Sequence, residues 1–304
     1  MSALLDDPRA IDAGSVLVLG SGSIGSAITN ALSSNGLSRT RPVIIPWTSR
    51  RRAHALRLAL GSLPEGTARN AIVWAAGRAG FSASTDACES ELAAFQDTAE
   101  AVDGLAAQRG TGGISLHLVS SAGGLYEGLT RVSTDSPLSP KRPYGILKEE
   151  QERRAHEMAQ AIPVWIYRVS SVYGYPQPGH RGGLIAELIK NGVERRPSAL
   201  YGAMDTLRDY VGEEEVGRHI AASVMKWGPT GGKPEMLVSG RPTSVAQVVD
   251  MVEKVLRRRL LVSYEDAWNA RDITFDSALK APDFHPEPLR TGISRLFTIY
   301  LSRR

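Results

Sequence analysis

The chain has 304 residues, of which 42% are hydrophobic and 22% charged, with a formal net charge of +4. Such values suit a soluble globular protein with a real core. No apolar run is long enough to span a bilayer, and the basic residues are spread rather than gathered into the patch typical of nucleic-acid binding, so neither a membrane nor a nucleic acid is expected as partner. Cys88 is the sole cysteine. It excludes an intramolecular disulfide and a cysteine-rich zinc site, no metal is expected, and the usage fits a reducing cytoplasm. The opening "MSALLDDPRA" carries acids where a secretory leader needs bases.

In chain order, "SVLVLG" (15–20) is a short apolar strand ending in glycine, and "IGSAITNALSSNG" (24–36) has helical spacing and a glycine stop. "PVIIPW" (42–47) predicts a second strand and "RRAHALRLALGSL" (51–63) a helix. "NAIVWAAG" (70–77) predicts a third strand, followed by a long helix over 88–108. A strand over 115–124, a helix over 144–161 and a strand over 164–174 complete the regular part. The strands are near-continuous apolar runs, as in sheets covered on both faces. This alternation predicts an α/β fold, a Rossmann-like doubly wound parallel sheet. Residues 1–174 form the expected dinucleotide-binding domain, to which a segment around 208–227 returns, and 175–304 form a smaller, mostly substrate-binding lobe.

Gly20-x-Gly22-x-x-Gly25 stands directly after the first strand and opens a helix. The glycines permit a tight turn and close approach to a pyrophosphate, and the helix N-terminus offers N–H groups to it. Gly20, Ser21, Gly22, Ser23, Ile24 and Gly25 are therefore candidate cofactor contacts. Strand two ends in "WTSRRR", with no Asp or Glu for a free ribose 2′-hydroxyl. Ser49, Arg50 and Arg51 suit a 2′-phosphate instead, which favours NADP(H) over NAD(H), with NAD(H) left open.

Tyr144 and Lys148 stand four apart at the start of a helix and share a face. A free phenol titrates near pH 10, about 3 units above neutrality, and a neighbouring cation stabilises its phenolate. Such a tyrosine can exchange a proton with a carbonyl or alcohol oxygen while a hydride moves. "VSSAGG" ends the preceding strand and offers Ser121 to hold that oxygen, or Ser120 if Ser121 faces elsewhere. Tyr144, Lys148 and Ser121 form the candidate catalytic set.

With "GSGSIG", "IVWAAG", "VSSAGGLYEG", "RPYGILK", "YRVSSVYG", "LRDYVGEEEVG" and "RDITFDSALKAPDFHPEPLRTGI", the chain resembles the extended short-chain dehydrogenase/reductase family, its NAD-dependent epimerase/dehydratase group. The resemblance implies a nucleotide-sugar substrate. It places Ala75, Ala76 and Gly77, with Tyr144 and Lys148, at the cofactor, and Ser121, Ser171, Arg208 and Arg271 at the substrate, the two arginines on its diphosphate. The chain departs from the pattern at Leu19, where the family's first glycine stands, and at Ser171, often an asparagine. Ala122 and Gly123 replace the Asp-Glu pair of sugar dehydratases, which argues against dehydration. An NADP(H)-dependent ketoreductase acting on a nucleotide-linked sugar is the expected activity. An NAD-dependent 4-epimerase is the alternative, and a cofactor-sensing regulator of the same fold the non-enzyme alternative. A homodimer through the helices at 88–108 and 144–161 is expected.

Overall fold

The computed structural model describes residues 15–37, 40–43, 45–47, 49, 51–65, 69–110, 113–176, 182–226, 232–265 and 271–303. The chain begins with β1 (Val16–Leu19), α1 (Ser23–Ser34), β2 (Thr40–Val43), α2 (Arg52–Gly61), β3 (Asn70–Trp74) and α3 (Thr85–Arg109). It continues through β4 (Ile114–Ser121), α4 (Ala122–Leu125), α5 (Pro143–Met158), β5 (Val164–Val169), β6 (Ser171–Tyr173) and α6 (Gly183–Glu194). Then come β7 (Ser198–Tyr201), β8 (Leu207–Arg208), β9 (Tyr210–Gly212), α7 (Glu213–Lys226), β10 (Glu235–Leu237) and β11 (Thr243–Ser244). α8 (Val245–Leu256), β12 (Val262–Glu265), a 3-10 turn (Ser277–Leu279) and α9 (Leu289–Ser302) finish it.

Two compact units are present. The first takes the chain through Ser120 with 147–167 and 217–235, and the second takes 121–146, 168–216 and 236–304. The chain passes between the units more than once: 217–235 groups with the first unit, and 121–146 groups with the later residues.

The large sheet has the order β2-β1-β3-β4-β5-β10. β1 pairs in parallel with β2 and β3, and β3 with β4, with Val18 opposite Pro42 and Val73, and Val73 opposite His117. The chain moves outward from β1 to β2 and then returns to β3 on the other side. That reversal puts the topological switch point at the carboxyl ends of β1 and β3, where ligands bind in such sheets. Alternate strand residues Leu17, Leu19, Ile72, Trp74, Leu116 and Leu118 point to one face and bury Leu56 and Leu60 of α2, Phe95 and Val102 of α3, and Ala155 of α5. Trp74 is the pivot of this layer, edge-on to Trp47 and Phe95 with ring centroids 5.2 Å away in each case. On the opposite face α7 comes against α1 at Gly217, where a Cβ would sit 2.6 Å from the Ala27 carbonyl carbon.

Capping explains where helices begin. α3 starts at Thr85 rather than 88 because the Ser84 hydroxyl accepts the Ala87 N–H. β4 ends at Ser121 rather than 124 because Ser121 caps α4, its hydroxyl accepting the Gly124 N–H at 3.1 Å. In the second unit, α6, α8 and α9 close over Leu188, Ile189, Val248, Val252, Ile293 and Leu296. α8 opens with a capping box between Ser244 and Gln247.

His117 of β4 is fully buried. Its ring stacks on Trp165 at 4.6 Å, and its Nδ1 lies 2.9 Å from the Tyr167 hydroxyl. Burial pulls this imidazole down to about 3. An unfolded histidine titrates near 6.5, so the neutral folded ring stabilises the protein fully above that pH, and the contribution drains as pH falls toward 3. Urea unfolding at pH 7 and pH 5 should show a loss of about 2 kcal/mol from this group. His117→Gln should remove most of that difference.

Candidate active site

In the first unit the turn after β1 is built by backbone proximity. Gly20 has φ +116°, and a Cβ there would overlap the Ala75 carbonyl oxygen and stand 2.7 Å from the Ala76 Cα. The Ala75 N–H donates to the Leu19 carbonyl at 2.8 Å, holding the end of β3 beside the end of β1. A Cβ on Gly25 would overlap the Gly20 carbonyl oxygen, so α1 begins tight against the turn. Among the described residues no side chain caps α1 and its first turn carries no acid. Ser21 is exposed, while Gly22, Ser23 and Ile24 are half-buried. A glycine-walled turn leading into an uncapped helix N-terminus fits a diphosphate.

At the end of β2 the sequence expected three side chains at a 2′-phosphate. Ser49 accepts the Arg51 N–H at 3.2 Å, and Arg51 is exposed ahead of α2. Arg50 lies outside the described residues. Arg52, the third arginine of the run, is committed elsewhere: it binds Asp97 of α3 at 2.6 Å and donates to the Trp47 carbonyl at 2.9 Å.

The loop after β3 is tied down by a residue that the sequence reading missed. Glu91 of α3 is buried, and one of its oxygens accepts the N–H groups of Arg78 and Ala79, both at 2.8 Å. Its other oxygen receives the Lys148 ammonium at 3.0 Å, and Lys148 also donates to Gln151 at 2.9 Å. Gly77 leaves room for this cluster: a Cβ there would lie 3.0 Å from Glu91 Oε1 and 3.3 Å from Lys148 Nζ. Burial alone would raise the Glu91 carboxyl. Lys148 and the two backbone donors outweigh it and hold Glu91 below the usual carboxylate range. Ser120 is turned inward to α5, its hydroxyl 2.5 Å from Glu152.

In the second unit Tyr144 opens α5 with its ring against Gly124, where a Cβ would lie 3.1 Å from Cδ1 and Cε1. Gly145 lets the helix come in further, since a Cβ there would overlap the Gly124 carbonyl oxygen. Ser121 is buried as the cap of α4. Tyr144 and Lys148 lie on one continuous helix, four residues apart. Arg208 donates to the Arg271 carbonyl, so β8 and the 271–276 stretch run side by side. Burial pulls Arg208 below the usual guanidinium range, against the pull of Tyr210 and Asp272. Arg271 is exposed, and a Cβ on Gly128 would lie 3.0 Å from its Cδ and 3.1 Å from Lys141 Nζ. Ser171 donates its N–H to the Asp209 carbonyl at 3.0 Å and pairs with Tyr210 across β6 and β9. Glu127, also missed from sequence, is buried and bound by Arg142 at 2.7 Å. No three His, Cys, Asp or Glu side chains among the described residues are placed to hold a metal, and no helix among them is long and apolar enough to cross a membrane.

The backbone contact at Gly20 predicts its own test. Gly20→Ala should lower stability by about 1–3 kcal/mol through overlap with Ala75 and a strained positive φ. Comparing melting curves with those of Gly36→Ala, whose Cβ would meet nothing within 4 Å, separates the overlap from the φ cost.

A model of the NAD dependent epimerase/dehydratase family matches residues 16–226. A curated protein of Bacillus subtilis (strain 168), "Uncharacterized UDP-glucose epimerase YtcB", is 28% identical over 145 residues. That stretch covers 45% of this chain and 43% of the relative, so the match spans less than half of either. Similar solved structures include MoeE5 in complex with UDP-glucuronic acid and NAD, at 23% identity and a TM-score of 0.77 over 96% of this chain and 100% of that one. The Thermus thermophilus UDP-glucose 4-epimerase complex with NAD gives 20% and 0.77, over 95% and 99% of the two chains. The UDP-glucuronic acid 4-epimerase from Bacillus cereus, with UDP-glucuronic acid and NAD, gives 19% and 0.76 over 95% and 100%. At these identities the likeness speaks to the fold. The family match takes in well over half of the chain, and on that match this chain belongs to the NAD-dependent epimerase/dehydratase family.

Proposed function

We propose that this chain is a nucleotide-sugar 4-epimerase that retains NAD. The observation that carries the reading is the single helix α5, which bears Tyr144 at its first turn and Lys148 one turn later, with Lys148 anchored beside the loop that follows β3. The ordering of NAD ahead of NADP, and of epimerase ahead of ketoreductase, rests on the family and on the ligands named for the similar structures.

Gly20 through Gly25 would hold the cofactor diphosphate at the α1 N-terminus, with Ala75, Ala76 and Gly77 along the adjoining edge. The cofactor would supply a reversible hydride acceptor for the sugar carbon. Tyr144 takes the proton of the sugar hydroxyl as the carbon becomes a ketone. After the sugar presents its other face, Tyr144 gives the proton back to the new alcohol. The net change is inversion at one carbon. Lys148 follows Tyr144 by one helical turn, its charge shared with Glu91. Ser121 enters with a limit set by its place: its hydroxyl already caps α4, so it holds substrate oxygen only through its O–H. Arg208 and Arg271 serve the substrate diphosphate, and Ser171 the sugar nearby. A homodimer through α3 and α5 belongs to the same proposal.

A second reading, the NADP(H)-dependent ketoreductase, is favoured by one observation: the stretch between β2 and α2 carries Ser49 and Arg51 and no acid.

Denaturing the purified protein and weighing what it releases should yield NAD. Incubation with UDP-glucose or UDP-glucuronic acid should give the 4-epimer without net NADPH oxidation. Stoichiometric NADPH consumption with a keto sugar, and no retained NAD, would establish the ketoreductase instead. Tyr144→Phe should keep cofactor binding and lose turnover by about 100-fold or more, and near-wild-type turnover would sink the role given to Tyr144.

A further inference from the structure

We propose that Glu91 is a positioning residue for the nicotinamide end of this site, fixing Lys148 and the loop after β3 to one another through a single buried carboxylate. The inference rests on the function proposed above and adds a residue to it.

The geometry is unusual for a structural ion pair. Glu91 lies on α3, 57 residues before Lys148 in sequence. It is 8% exposed, and Lys148 is 5% exposed. A buried pair of this kind gains little net stability over apolar packing, because both charges must leave water. Its worth lies in what it orients. Glu91 Oε1 takes the Lys148 ammonium, and Gln151 Nε2 reaches the same oxygen at 3.4 Å. Glu91 Oε2 takes two consecutive backbone N–H groups, those of Arg78 and Ala79. Gly77 and Arg78 are exposed at the surface, yet their loop is pinned from beneath by an anion.

The two partners occupy the same end of the sheet. Ala75 continues β3 and bonds to the end of β1, and Gly77 to Ala79 follow at once. Lys148 comes within 3.3 Å of where a Gly77 Cβ would be. One carboxylate therefore sets both the height of the ammonium and the path of the loop that would border a nicotinamide ribose. Gln cannot replace it: an amide has one accepting oxygen and, in place of the other, an NH2 group that only donates, so it can satisfy the loop or the ammonium and not both. Asp is shorter by one methylene and cannot reach both at these distances.

The test uses Glu91→Gln, Glu91→Asp, Lys148→Met and the Glu91→Gln/Lys148→Met pair. NADH titration by fluorescence, amide exchange at Arg78 and Ala79, and turnover are measured on each folded protein. Glu91→Gln is expected to weaken NADH binding about tenfold or more, to lower turnover per folded molecule by about 100-fold, and to speed exchange at the two amides. Adding Glu91→Gln to Lys148→Met should cost little further turnover, because the group it positions is already gone. Glu91→Asp should stay folded and share the binding defect, which keeps the test open if the amide variant misfolds. Unchanged NADH affinity in folded Glu91→Gln or Glu91→Asp, or losses that simply add in the pair, would overturn the inference while leaving the function standing. A wild-type protein that binds no nicotinamide cofactor would overturn both.

Discussion

Gly20 has no side chain, and the space a methyl would need is filled by the carbonyl of Ala75. This contact between the ends of β1 and β3 fixes the rest of the first unit's carboxyl edge. It brings two non-consecutive loops together at the point where the sheet reverses its order, and it aims α1 so that its uncapped N-terminus opens on the same edge. Strand polarity, helix dipole and loop path then favour an anionic ligand together.

The fold was largely legible in the sequence, because each strand of a doubly covered sheet is a short apolar run and each crossover helix shows its period. Helix starts were less legible where the signal is a single hydroxyl. Ser84 and Ser121 both cap, and both moved a boundary by three residues. Ser-Ala-Gly-Gly also spells a cap followed by a close-packed turn, with Ser121 as the cap. Arg52 shows the opposite problem: its sequence neighbours suggested a phosphate site, while its partner, Asp97, lies 45 residues away. Glu91 gave no local signal at all. Its partners are a lysine far along the chain and two backbone amides, and amides have no letter code. Glu127 and Arg142 escaped for the same reason, being joined only by folding.

The two units handle charge differently. In the first, Lys148 and Glu91 neutralise one another out of water, and His117 stays uncharged between Trp165 and Tyr167. In the second, basic side chains gather: Lys141 and Arg271 both crowd Gly128, and Arg208 leans on the Arg271 backbone with its charge partly desolvated. A partly desolvated guanidinium bound to a carbonyl keeps further N–H donors in a fixed plane. That suits paired anionic oxygens better than a loose surface cation would.

Gly124 carries no functional group, yet any replacement puts at least one carbon 3.1 Å from the Tyr144 ring. A side chain there would oblige the phenol ring or the start of α5 to give by a few tenths of an ångström. Among descendants of this gene, an invariant glycine at 124 would record selection acting on the aromatic ring beside it.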